Sequence, residues 1–143
     1  MKVLFLDIDG VLNSTQTARE HHSWMILSPE KLSFIKHLHN AGVEIVVSST
    51  WRKGRTLEEL STILGVKVYS KTPSLHSMQG CRGDEIDVWL KENNFPEYCI
   101  IDDDWDMLKH QDEFFVHTNT DVGMEFDHLQ KICQILHLPI PKE

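Results

Sequence analysis

Apolar residues along this chain follow two rhythms. Val3–Asp7, Val43–Val47, Val66–Tyr69, Tyr98–Ile101 and Phe114–His117 are short, mostly continuous apolar runs bounded by polar or turn residues. Such runs predict strands buried on both faces. Between them the apolar positions return every three or four residues, as on one face of a helix. Ser28-Pro29-Glu30 starts the first such helix: serine caps, proline takes the first turn, and glutamate meets the positive end. Leu32, Ile35, Leu38 and Ala41 form its inward stripe, and Gly42 stops it. Further helices are predicted at Thr56–Leu64, closed by Gly65, at Gly83–Asn93, at Trp105–Lys109 and at Met124–Leu138. Asn13–Leu27 is polar without a clear period and reads as a loop or small flap. Ser70–Arg82, with Pro73 and Gly80, reads as irregular.

Strands that alternate with helices imply a three-layer, Rossmann-like α/β fold with a parallel sheet covered on both sides. Ligands in such sheets bind beyond the carboxyl ends of the strands. Polar clusters fall at those ends: Asp7 and Asp9 after the first strand, Ser48 and Ser49 after the second, Asp102 and Asp103 after the fourth. Segments far apart in sequence are therefore expected to converge on one edge.

Composition narrows the picture only slightly. A length of 143 residues fits one domain spanning 1–143, and 41% hydrophobic with 25% charged residues is ordinary for a globular protein. The net charge of −8 argues against bulk attraction to nucleic acid or an anionic membrane, without excluding a local contact. Cys81, Cys99 and Cys133 are odd in number and far apart, which predicts reduced thiols. Met1-Lys2 leads straight into the first strand, so a cytoplasmic protein without signal peptide or membrane span is expected.

The chemistry follows from residue types. Asp7, at a strand tip, is placed to attack phosphorus and form an aspartyl-phosphate. Asp9 is placed to protonate the leaving oxygen and then to deprotonate water, with Gly10 giving the turn its freedom. Crowded carboxylates would repel a phosphate, and hard oxygen ligands select magnesium, which screens them. Asp7, Asp9, Asp102 and Asp103 are the expected metal ligands. Ser48 and Ser49, ahead of an expected helix start, suit the phosphoryl oxygens. Arg52 could clamp a substrate phosphate or pair with a carboxylate such as Asp9 or Asp103; Lys53 and Arg55 are expected to face solvent.

Asp7-Ile8-Asp9-Gly10, then Ser48 or Ser49 closing an apolar strand, then Asp102-Asp103 closing another, make the chain resemble a haloacid dehalogenase (HAD) superfamily phosphohydrolase over nearly its full length. More narrowly, SSTWR, RGDEIDVWL and IIDDD are similar to the small HAD domains of Swiss army knife RNA-repair proteins, and more distantly to the phosphatase half of polynucleotide kinase-phosphatases. The resemblance implies that Asp103 binds magnesium directly and Asp102 through water. It also implies a motif-three cation, for which Arg82 is the first choice and Lys71 the rival. Many relatives carry a cap domain, but Asn13–Leu27 and Lys71–Arg82 are too short for one. The site is expected to be open, suited to a nucleic-acid end, a nucleotide or a phosphoprotein. The competing reading is a non-catalytic phosphate-binding or regulatory module.

Two residue classes remain. Trp51 and Trp105 directly follow site clusters and Trp24 lies in the flap; rim packing is the favoured reading, stacking on a nucleobase the alternative. Trp89 belongs with the Ile86/Leu90 core face. The nine histidines include no HExxH and no cysteine partner, so zinc is not expected; His110 and His117 have no assigned role. Asp104 and Asp106 read as a solvated acidic turn, Asp104 with a possible cap for the helix at 105.

Overall fold

The computed structural model describes residues 1–75 and 81–143. Five strands, β1 (Lys2–Leu6), β2 (Val43–Val47), β3 (Val68–Lys71), β4 (Glu97–Asp102) and β5 (Phe115–His117), form one parallel sheet in the order β3-β2-β1-β4-β5. The helices are α1 (Thr15–His21), α2 (Pro29–Asn40), α3 (Leu57–Leu64), α4 (Arg82–Glu92) and α5 (Phe126–Ile135). Successive strand residues point to opposite faces. Leu4, Leu6, Ile45, Val47, Cys99 and Ile101 join the larger core, with apolar residues of α2, α3 and α5. Val3, Phe5, Val46 and Ile100 pack against Ile86, Trp89 and Leu90 of α4. Both faces are covered, which is why the strands read as apolar runs.

β1 is central. Leu6 pairs with Val47 of β2 on one side and Ile101 of β4 on the other. The chain builds outward through β2 and β3, then crosses to the far side of β1 for β4 and β5. That reversal opens a crevice beyond the strand ends beside β1.

Several elements differ from expectation. Residues expected to form a loop hold α1, capped by Ser14, which accepts from the Thr17 N–H. The helix buries no residue, so it has no apolar stripe to read. It docks through its backbone instead: Thr15 N donates to Thr120 O and Gln16 N to Asp121 O. The helix expected at Trp105–Lys109 is absent. Residues 105–108 are irregular, and a 3₁₀ helix follows at Lys109–Phe114. Asp106 explains this, because its carbonyl and carboxylate accept from Gly83 N and Arg82 N at the start of α4. Asp106 is solvated, as expected, and also serves as a tertiary cap; Asp104 is exposed too but caps no helix, and its N–H donates to Asp102 Oδ1 at 2.9 Å.

β3 begins two residues later than expected, carries a register irregularity opposite Ile45 and Val46, and takes in Ser70 and Lys71. An edge strand tolerates such polar residues. Ser28 and Pro29 start α2 as expected, but Ala41 is its exposed C-cap rather than part of the buried stripe, while Lys31 is buried with its ammonium on Met124 O. Of the stretch expected to be irregular, residues 76–80, including Gly80, lie outside the described residues. Among the described residues, the segment between β1 and α2 carries only the seven-residue α1 and no independent cap domain. No helix among the described residues is long and apolar enough to cross a membrane.

Candidate active site

The sheet ladder continues one step beyond the strands. Asp7 N donates to Ile101 O, Ser48 N to Leu6 O and Thr118 N to Asp102 O. These bonds fix neighbouring strand tips in register and bring their side chains to one rim. Asp7, Asp102 and Asp103 each offer a carboxylate oxygen within 4.8 Å of the others. Gly10 makes the approach possible. Its φ is +80°, and a Cβ there would overlap the Asp103 carboxylate. Thr118 Oγ1 donates to Gly10 O at 2.7 Å and Thr120 Oγ1 to Asp103 Oδ2 at 2.8 Å, so the segment after β5 holds both sides of this contact.

Arg82, the first residue of α4, reaches the trio. Its Nη1 lies 2.7 Å from Asp102 Oδ2 and 3.1 Å from Asp7 Oδ1. Burial, then the charge of Asp102, pushes the Asp7 carboxyl up to about 9, against the pull of Arg82. Burial also raises Asp102, opposed by Arg82 and by the Asp104 N–H. Burial alone would lower the Arg82 guanidinium, but Asp102 and Asp7 outweigh it and raise it. One arginine therefore leaves the buried carboxylates short of positive charge. A hard divalent cation fits that deficit and this all-oxygen donor set. Asp7 and Asp103 could hold such an ion. Asp102 is fully buried, with Oδ2 on Arg82 and Oδ1 on the Asp104 N–H, which suits a supporting place behind them. Lys71, the rival of Arg82, points elsewhere: its ammonium donates to the carbonyls of Arg55 and Arg52.

Asp9 lies outside the carboxylate trio. Its Oδ1 accepts from Asn13 Nδ2 at 2.8 Å and from Trp51 Nε1 at 3.1 Å. Asn13, fully buried, also accepts from Gly10 N through Oδ1 and donates to Trp24 O. Trp51 is thus neither rim packing nor a free stacking face. It is buried, with the Arg55 guanidinium over its ring. Arg55 also donates to Trp51 O, so it is a packing residue rather than a solvent-facing one.

Ser48 is fully buried, and its Oγ has no hydrogen-bond partner among the described residues. An orphaned hydroxyl at the tip of the strand next to β1 suits an incoming oxygen. Ser49 Oγ accepts from Trp51 N and caps the short 3₁₀ turn Thr50–Arg52. Arg52 corrects an expectation. Its Nε donates to Thr72 O, its Nη1 to the carbonyls of Ser48 and Ser49, and its Nη2 to Pro73 O and Glu85 Oε2. Every guanidinium N–H is engaged by the protein, so none remains for a substrate phosphate, and the carboxylate partner is Glu85 rather than Asp9 or Asp103.

Asn13, Asp106, Thr118 and Thr120 carry no motif that sequence reasoning could use. Trp51 gave one signal, its place directly after the serine pair. No curated protein matches the sequence. The family described as the HAD domain in Swiss Army Knife RNA repair proteins matches residues 3–129, which include the whole rim, and the chain belongs to that family.

Proposed function

We infer that the protein is a magnesium-dependent phosphomonoester hydrolase with Asp7 as nucleophile and Asp9 as general acid and base, acting on phosphorylated nucleic-acid ends or nucleotides. The observation that carries this reading is the meeting of Asp7, Asp102 and Asp103 within 4.8 Å, with the orphaned Ser48 hydroxyl at the neighbouring strand tip. Magnesium held by Asp7 and Asp103 would supply the charge that lets a phosphate approach.

Asp7 attacks phosphorus through Oδ2, because Oδ1 faces Arg82. As the new O–P bond forms, the ester P–O bond breaks and its electron pair leaves on the substrate oxygen. That oxygen takes a proton from Asp9. Trp51 and Asn13 both donate to Asp9 Oδ1, so the proton rides on Oδ2. Asp9, now a carboxylate, removes a proton from water. The oxygen of that water attacks phosphorus, the bond to Asp7 breaks, and inorganic phosphate leaves. Ser48 Oγ–H and the remaining N–H groups of Arg82 donate to phosphoryl oxygens during both steps. The uncapped rim admits the end of a long substrate, and the family's RNA-repair description supports a nucleic-acid end or nucleotide.

The test is phosphate release from 3′- and 5′-phosphorylated oligonucleotides, mononucleotides and sugar phosphates, with magnesium and with EDTA. Magnesium-dependent release that Asp7→Asn abolishes is expected. Release that persists in EDTA or in Asp7→Asn would overturn the mechanism, and binding without release would leave a phosphate-binding module.

A further inference from the structure

Of the two arginines near the rim, Arg52 is fully engaged by Glu85 and four carbonyls, and Arg82 meets Asp7 and Asp102 through Nη1. With a net charge of −8, the chain offers a nucleic-acid ligand little general attraction. Yet Trp105, two positions after Asp103, is 71% exposed. An indole so exposed adds little to the core. It is nevertheless held in place. One ring face stacks on His117, with centroids 3.8 Å apart and planes 12° from parallel, and Phe115 meets its edge at 5.8 Å. The imidazole is anchored in turn: His117 Nε2 donates to Asp103 O at 2.8 Å. The ring is thus tied to the backbone of a residue in the carboxylate trio, with its other face open. Two residues of chain span at most ~7 Å. A phosphate at the rim would therefore bring its own nucleoside within reach of the indole.

We propose that the open face of Trp105, backed by His117, is a stacking platform for the nucleobase adjacent to the phosphate bound at the Asp7–Asp103 rim. The proposal rests on the phosphate-site reading above and specifies the ligand as a nucleoside phosphate. Stacking needs no positive charge and tolerates any base, which suits an acidic protein. His117 is a positioning residue, since it acts through the indole.

The experiment pairs substrates that differ only in the base: adenosine 3′-monophosphate against ribose 3-phosphate, and adenosine 5′-monophosphate against ribose 5-phosphate. In the wild type, KM for the nucleotide lies below that for its sugar phosphate. Trp105→Ala collapses that ratio, raising the nucleotide KM by about 5- to 100-fold, whereas Trp105→Phe keeps most of it. Equal KM values within each wild-type pair, or a ratio that Trp105→Ala leaves intact, would overturn the platform. A short 3′- or 5′-phosphorylated oligoribonucleotide run beside the mononucleotide separates an RNA end from a free nucleotide as the source of the base. Titration of Asp7→Asn with the nucleotides supplies a readout independent of turnover. Quenching of tryptophan fluorescence that disappears in Asp7→Asn/Trp105→Phe supports the platform even if the wild type hydrolyses nothing. Turnover with no such quenching overturns the platform while leaving the hydrolase reading intact.

Discussion

Arg82 and Arg52 carry the same charge near the same strand ends and do opposite things. Arg52 is 3% exposed, and carbonyls plus Glu85 engage every donor it has. It ties the Ser48-Ser49 turn to the chain after β3 and to α4. Arg82 meets its partners through Nη1, and those partners are Asp7 and Asp102. One guanidinium is saturated and closes a structure; the other sits among groups whose charge it does not balance. Donor occupancy, not residue type or sequence position, separates a clamp from a candidate active-site cation.

The comparison can be broken experimentally. The largest effect is expected for Asp7→Asn, which should lower turnover by about 10³-fold or more while circular dichroism stays native. Native turnover in that variant would remove the rim from the chemistry and leave Arg82 with no reacting group to serve. Next, the arginines should diverge. Arg82→Ala should lower turnover about 10²-fold, as for a lost charge-stabilising donor, with a smaller change in melting temperature. Arg52→Ala should instead cost about 3–5 kcal/mol of stability, because it strands Glu85 and several carbonyls, as read by denaturant unfolding. If Arg52→Ala folded as stably as the wild type and lost only turnover, the roles assigned here would be reversed.

Gly10→Ala should be milder on the fold than on the ion. The φ of +80° costs about 1 kcal/mol or more, and the added methyl pushes the Asp103 carboxylate out of the trio. Magnesium affinity, followed by its effect on melting temperature, should fall about tenfold or more.

A pH slope tests the carboxylate side of the same comparison. The Asp7 carboxyl is pushed up to about 9 from an ordinary 3.8, so in EDTA the folded state holds a proton that the unfolded chain has lost. Stability linked to this group is therefore full below about pH 4 and falls as pH rises towards 9. Measured in EDTA, the wild type should lose stability relative to Asp7→Asn across that window. Parallel curves for the two proteins would show that Asp7 ionises freely without an ion.

Much of the architecture was legible because it rests on local chemistry. Val3–Leu6 and Val43–Val47 announce buried strands, and Ser28-Pro29-Glu30 announces a helix start. α1 and the 105–108 segment were not legible. α1 buries no residue and docks through backbone N–H groups on Thr120 and Asp121, which any side chain would allow. Residues 105–108 fail as a helix because Asp106 is drawn to the start of α4, a partner distant in sequence. At the site, the acidic strand tips, Ser48 and Arg82 could be named from motif and placement. Arg52 misled, because an arginine beside a serine pair looks the same whether its donors are free or taken.

The sequence alone determined which residues end buried strands, since apolar runs that break into Asp-x-Asp-Gly, Ser-Ser or Asp-Asp are local facts, and it determined that a doubly covered parallel sheet would hold them. Only the tertiary structure decided how those ends meet. Strand order places β1 between β2 and β4, backbone bonds lock the tips in register, and distant threonines hold Gly10 and Asp103 together. The physical reason is that hydrogen-bond occupancy depends on partners the chain reaches only after folding. Which groups Asp9 accepts from, whether Arg52 is free, and whether Trp51 or Trp105 keeps an open face all depend on such partners.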